Sequence, residues 1–69
     1  MSDVEVKAGQ VWEALPDTVG PERLRITSTD PAEYAIVRTE LGAHRTFDFA
    51  DIRESYRLIR DEHGNEVGK

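Results

Sequence analysis

The chain has 69 residues, 38% of them hydrophobic and 33% charged, with a formal net charge of −5 and no cysteine. That length allows one domain, which buries only about 60% of the surface its unfolded chain exposes. The missing cysteine excludes disulfide staples, thiolate zinc sites and a cysteine nucleophile.

In chain order, residues 1–6 are polar and acidic, and a flexible terminus is expected there. They lack the basic segment and apolar run of a signal peptide. Gly9 is a turn residue, and Gln10–Leu15 follows as a first strand holding the only tryptophan. The stretch "PDTVGP", Pro16–Pro21, is a loop, too rich in turn formers for a helix interior or a central strand. Glu22–Thr29 alternates, with Leu24 and Ile26 on one face and Arg23, Arg25 and Thr27 on the other, the period of a half-buried strand. Asp30-Pro31 signals a turn. Glu33–Glu40 is a third strand, and Gly42 closes a hairpin into a fourth, His44–Phe49. One helical turn near Ala50–Glu54 leads to a fifth strand, Tyr56–Arg60. Residues 61–69 form a polar tail, in which His63-Gly64-Asn65 can turn a last hairpin.

Five short strands without a long helix predict an all-β domain. A small open sheet would leave exposed edges, so closure into a five-stranded SH3-like barrel is expected, with a single 3₁₀ turn before the last strand. The domain spans residues 7–60, with Leu24, Ile26, Val37, Phe47, Phe49 and Leu58 in its core and Ala35 and Tyr56 also turned inward. Trp12 turns inward by parity, its alternative being an exposed aromatic on a ligand groove. No apolar run nears the roughly 20 residues of a membrane helix, and a cytoplasmic location is expected.

Charge is unevenly spread. Residues 1–6 and 61–69 contribute −2 each, whereas residues 7–60 carry eight basic and nine acidic groups. Seven of those eight cations are arginine, whose planar guanidinium suits bidentate and stacked contacts. The acidic total argues against simple phosphate-backbone binding. No catalytic constellation is present: Ser28 and Ser55 have no motif supplying a base, and there is no P-loop or GxGxxG. His44 and Asp48 lie too far apart on a strand to read as metal ligands. "DEHGNE" lacks the frame of a calcium loop. Asp51 suits the first turn of a helix, where an acid meets free N–H groups. A non-enzyme without cofactor, metal or small-molecule substrate is expected.

Alternation also sets out one surface. With Leu24, Ile26, Ala35 and Val37 facing in, Arg23, Arg25, Tyr34, Ile36 and Arg38 face out together, a composition found in interaction surfaces. The plain alternative is that Glu22, Glu33 and Glu40 neutralise these arginines in ordinary cross-strand pairs. Two functions follow: a protein-binding module using this face or the "PDTVGP" loop, or a nucleic-acid-binding barrel using the arginines.

The segments "AGQVWE", "ERLRI" and "YAIVRTELGAHRTFDFADIRESYRLI" resemble a family of small actinobacterial and actinophage proteins of uncharacterised function. Its members share a "GQVW" start, here Gly9–Trp12, and an Arg-Leu-Arg-hydrophobic strand, here Arg23–Ile26. They end in "YRL", here Tyr56–Leu58. The resemblance spans about residues 8–60 and implies an SH3-like barrel similar to KOW domains, which bind nucleic acid or the transcription and translation machinery. RNA-binding KOW domains are usually basic, and this chain departs from them in charge.

Overall fold

The computed structural model describes residues 5–29 and 34–67. The Asp30-Pro31 turn and Glu33 lie outside these residues. The elements are β1 (Val11–Ala14), β2 (Arg23–Ser28), β3 (Tyr34–Thr39), β4 (His44–Asp48), α1 (Phe49–Ser55) and β5 (Tyr56–Arg60). The five strands form one antiparallel sheet in the order β4-β3-β2-β1-β5. This is a small all-β domain with one short helix. The sheet is open: its edges, β4 and β5, do not pair with each other. They are joined in sequence by α1, and across space Phe47 meets Tyr56 edge-to-face at 6.0 Å.

The alternation of β2 and β3 is realised as expected. Leu24, Ile26, Ala35 and Val37 are buried, and Arg23, Arg25, Tyr34, Ile36 and Arg38 are exposed. β2 is the middle strand of the sheet, so Leu24 lies between Trp12 on β1 and Thr39 on β3. Trp12 is buried, as its strand parity predicts. The β3–β4 hairpin closes at Gly42, whose positive φ of 84° suits glycine, and the Thr39 N–H donates to Ala43 O at 2.8 Å.

Four expectations are corrected. The single 3₁₀ turn is a seven-residue α-helix that begins at Phe49, earlier than Ala50. Phe49 therefore leaves the strand; spaced three and seven residues from Ile52 and Tyr56, it follows a helical period toward the core. Second, Phe47, Phe49 and Leu58 are half-buried and pack against the core from its border: Phe47 and Leu58 stand on the edge strands β4 and β5, which have a neighbour on one side only, and Phe49 opens α1. Ile52, not assigned to the core from sequence, is completely buried.

Third, residues 5–10 take part in the fold. Val6 is buried, and Gln10 beside it is 2% exposed. The Gln10 carboxamide is fully used: Oε1 accepts the Lys7 N–H at 2.8 Å and the Trp12 Nε1–H at 3.0 Å, while Nε2 donates to Glu5 O at 2.8 Å. Fourth, the domain does not stop at residue 60: the last hairpin read at His63-Gly64-Asn65 forms, and residues 61–67 fold back on the sheet. Arg60 bridges to Glu66, the Val67 N–H donates to Ile59 O, and Asp61 Oδ1 accepts the N–H groups of His63 and Asn65 at 2.9 Å each. The carboxylate in "DEHGNE" thus closes a turn. This turn packs on the N-terminal one: a Cβ on Gly9 (φ 98°) would lie 3.1 Å from Glu62 O, and Lys7 pairs with Glu62 at 3.4 Å.

Candidate partner-binding site

The outer face of the sheet carries its charges in cross-strand rows. In the first, Glu13 on β1 lies opposite Arg23 on β2 and Arg57 on β5. Its carboxylate pairs with both, at 3.7 and 3.2 Å. At the β2 end of this row Glu40 accepts the backbone N–H groups of Glu22 and Arg23, each at 3.2 Å. Backbone hydrogen bonds from Glu40 itself and from these two residues hold its carboxyl below the usual range. Cations and anions alternate here, and the row is compensated internally.

The next row is not. It runs Arg60 (β5), Val11 (β1), Arg25 (β2), Arg38 (β3), His44 (β4), each opposite the next. Arg25 and Arg38 are direct cross-strand partners, and neither forms an ion pair with any described carboxylate. Like charges placed directly opposite destabilise a sheet. Of the acids expected to neutralise these arginines, Glu40 is engaged by backbone amides, and Glu33 lies outside the described residues. Arg23 finds Glu13, an acid the sequence reading did not assign to it. Further along β3, Ile36 and Tyr34 continue the same face, 37% and 43% exposed. The five residues singled out from alternation therefore share one surface.

Arg60 joins them unforeseen. Strict alternation from Tyr56 and Leu58 would turn it inward, but β5 places Arg60 opposite Val11 and Leu58 opposite Trp12, so Ile59 is an extra residue in a bulge. The bulge returns Arg60 to the outer face, and simple parity does not reveal it. Arg23, Arg25, Arg38 and Arg60 then line a groove of about 420 Å³ with Val11 and Ile59. A second apolar feature sits at one end of the molecule. There Val19 in the "PDTVGP" loop and Leu41 in the β3–β4 turn are 99% and 88% exposed.

Arg25 and Arg38, without an ion pair among the described residues, carry a stability consequence. Arg38→Glu replaces a repulsive cross-strand pair with an attractive one, and the free protein is expected to gain a few tenths of a kcal/mol. In thermal unfolding this appears as a rise in Tm of a few degrees. Added salt should narrow the gap to the parent, since screening acts over about 10 Å at 0.1 M. A lowered Tm would show that Arg38 is stabilised in place by contacts other than charge.

Among the described residues no group of three or more His, Cys, Asp or Glu side chains is placed to hold a metal ion, and no helix is long and apolar enough to cross a membrane. No protein-family model matches the chain, and neither does a curated protein or a solved structure.

Proposed function

We propose that this protein is a non-catalytic, cytoplasmic interaction module of SH3-like build that holds a partner protein on the outer face of its sheet. The carrying observation is the facing pair Arg25 and Arg38, set without a counter-ion among the described residues beside exposed Ile36 and Tyr34. Arginine and tyrosine anchors around an apolar contact are the usual composition of a binding hot spot. The SH3-like reading rests on the strand order, in which a four-strand meander is followed by a last strand that returns beside the first. It rests also on the short helix that carries the chain from one sheet edge to the other. The resemblance to small actinobacterial and actinophage proteins agrees with that build and supplies no activity.

Nucleic-acid binding is the second reading, favoured by the same uncompensated arginines. The net charge of −5 weighs against it, as do the acids bordering the row: Glu13 and Glu40 on one side, Asp48 on the other. A phosphate backbone extending past the arginines would meet like charge.

Photo-crosslinking in extract of the native host, with and without nuclease treatment, separates the readings. A photo-reactive amino acid replacing Ile36 is expected to give a discrete protein adduct. The same group replacing Arg53, exposed on α1, should give none. An adduct that disappears with nuclease, or that forms equally from position 53, would overturn the proposal.

A further inference from the structure

The groove is asymmetric in a way that specifies its occupant. Four arginines line it against one carboxylate, Glu40, and that carboxylate is already held by two backbone N–H groups. Arg23 is partly satisfied by Glu13. Arg25 and Arg38 make no ion pair with a described carboxylate, while Arg60 donates from Nη1 to Gly64 O at 3.4 Å and stands opposite Glu66 across a β-bridge. Between Arg60 and the Arg25–Arg38 pair stands Val11, flanked by Ile59. The pattern across the sheet is thus cation, apolar step, paired cations.

On the reading that the outer face holds a protein, we infer that its ligand is an extended acidic segment lying across the strands. One carboxylate engages the Arg25–Arg38 pair, a second engages Arg60, and an apolar side chain between them rests on Val11 and Ile59. The spacing is consistent. β5 and β2 are two strand intervals apart, roughly 10 Å at about 4.8 Å each. An extended chain turns every second side chain to one face, so residues i, i+2 and i+4 span about 13 Å and reach from Arg60 to a carboxylate seated between Arg25 and Arg38, two to three intervals away. Two guanidinium groups side by side offer a carboxylate several donors at once, and such charge-assisted contacts are about twice as strong as neutral ones. The cost of keeping Arg25 and Arg38 face to face is then recovered when an acid sits between them. The basic island is short and bounded by Glu13, Glu40 and Glu66, with Asp48 farther along β4. It therefore matches a ligand with two charges better than a long polyanion.

Fluorescence anisotropy with defined probes tests this. The probes are a short labelled peptide with two glutamates separated by three residues, the middle one apolar, the same peptide with both glutamates replaced by glutamine, and an oligothymidylate of matched length. At low salt the glutamate peptide is expected to bind roughly tenfold tighter than either of the others. The double variant Arg25→Ser/Arg38→Ser should lose roughly tenfold of that affinity, and Arg60→Ser a smaller part, whereas Arg53→Ser on α1 should be unchanged. All four positions are exposed, and circular dichroism of each variant separates lost binding from lost folding. Equal binding of the glutamine peptide, or no binding of the glutamate peptide, overturns the acidic-segment inference. A position-36 protein crosslink would still leave the protein-binding face standing. Tighter binding of the oligothymidylate, abolished by the same double variant, would overturn both. Concentration-dependent dimers that block the glutamate peptide would assign the groove to a second copy of this chain and also overturn the inference.

Discussion

Leu24→Ala should destabilise the protein by about 2–5 kcal/mol. Leu24 has no solvent exposure, sits on the central strand, and lies between Trp12 and Thr39 on its two neighbours. Truncation leaves a cavity walled on both sides by hydrogen-bonded strands, which cannot collapse into it without breaking the ladders. A chain of 69 residues has a total stability of only about 3–10 kcal/mol. The loss is therefore a large share of the whole, and urea denaturation should show a sharply lowered midpoint or a protein already unfolded in buffer. Val19→Ala, in a side chain 99% exposed, should leave the midpoint unchanged. A Leu24→Ala variant that melts like its parent would contradict the assignment of the sheet's inner face.

The second large effect is expected at Gln10. Its carboxamide joins the N-terminal segment to the core: it receives the Trp12 indole and Lys7 amide and donates to the Glu5 carbonyl. Gln10→Leu leaves the buried indole N–H without a partner, which costs about 1–3 kcal/mol. The groups of Glu5 and Lys7 are nearer the surface and can turn to water. Trp12→Phe made in the Gln10→Leu background should cost less than in the parent, because it removes the orphaned donor. Additive losses in that cycle would show that the indole–carboxamide bond contributes nothing. The "GQVW" stretch is on this account a structural knot. Gly9 permits the close approach of Glu62, Gln10 satisfies three polar groups, and Trp12 fills the core.

The strands were legible wherever one face is buried and the other wet, as in Arg23–Ser28 and Tyr34–Thr39, since a period of two then leaves a clear trace. The outward placement of Arg23, Arg25, Tyr34, Ile36 and Arg38 followed from the same alternation. Three features were not legible in this way. Phe49 continues the alternation of Phe47 but begins a helix, and the spacing of Phe49, Ile52 and Tyr56 was the signal for it. Val6 is one apolar residue among polar neighbours, and its burial depends on the distant residues it packs against. Arg60 reaches the outer face only through a bulge, a pairing property that strict alternation cannot express.

The central claim is that the outer face keeps Arg25 and Arg38 opposed, at a cost to stability, because a partner uses them. A double-mutant cycle on unfolding free energy, with Arg25→Ser, Arg38→Ser and the double variant, measures their coupling in the free protein directly. An unfavourable coupling of a few tenths of a kcal/mol, shrinking with salt, is predicted. A favourable coupling, unaffected by salt, would mean that the two guanidinium groups support each other and that the face holds nothing in reserve for a ligand.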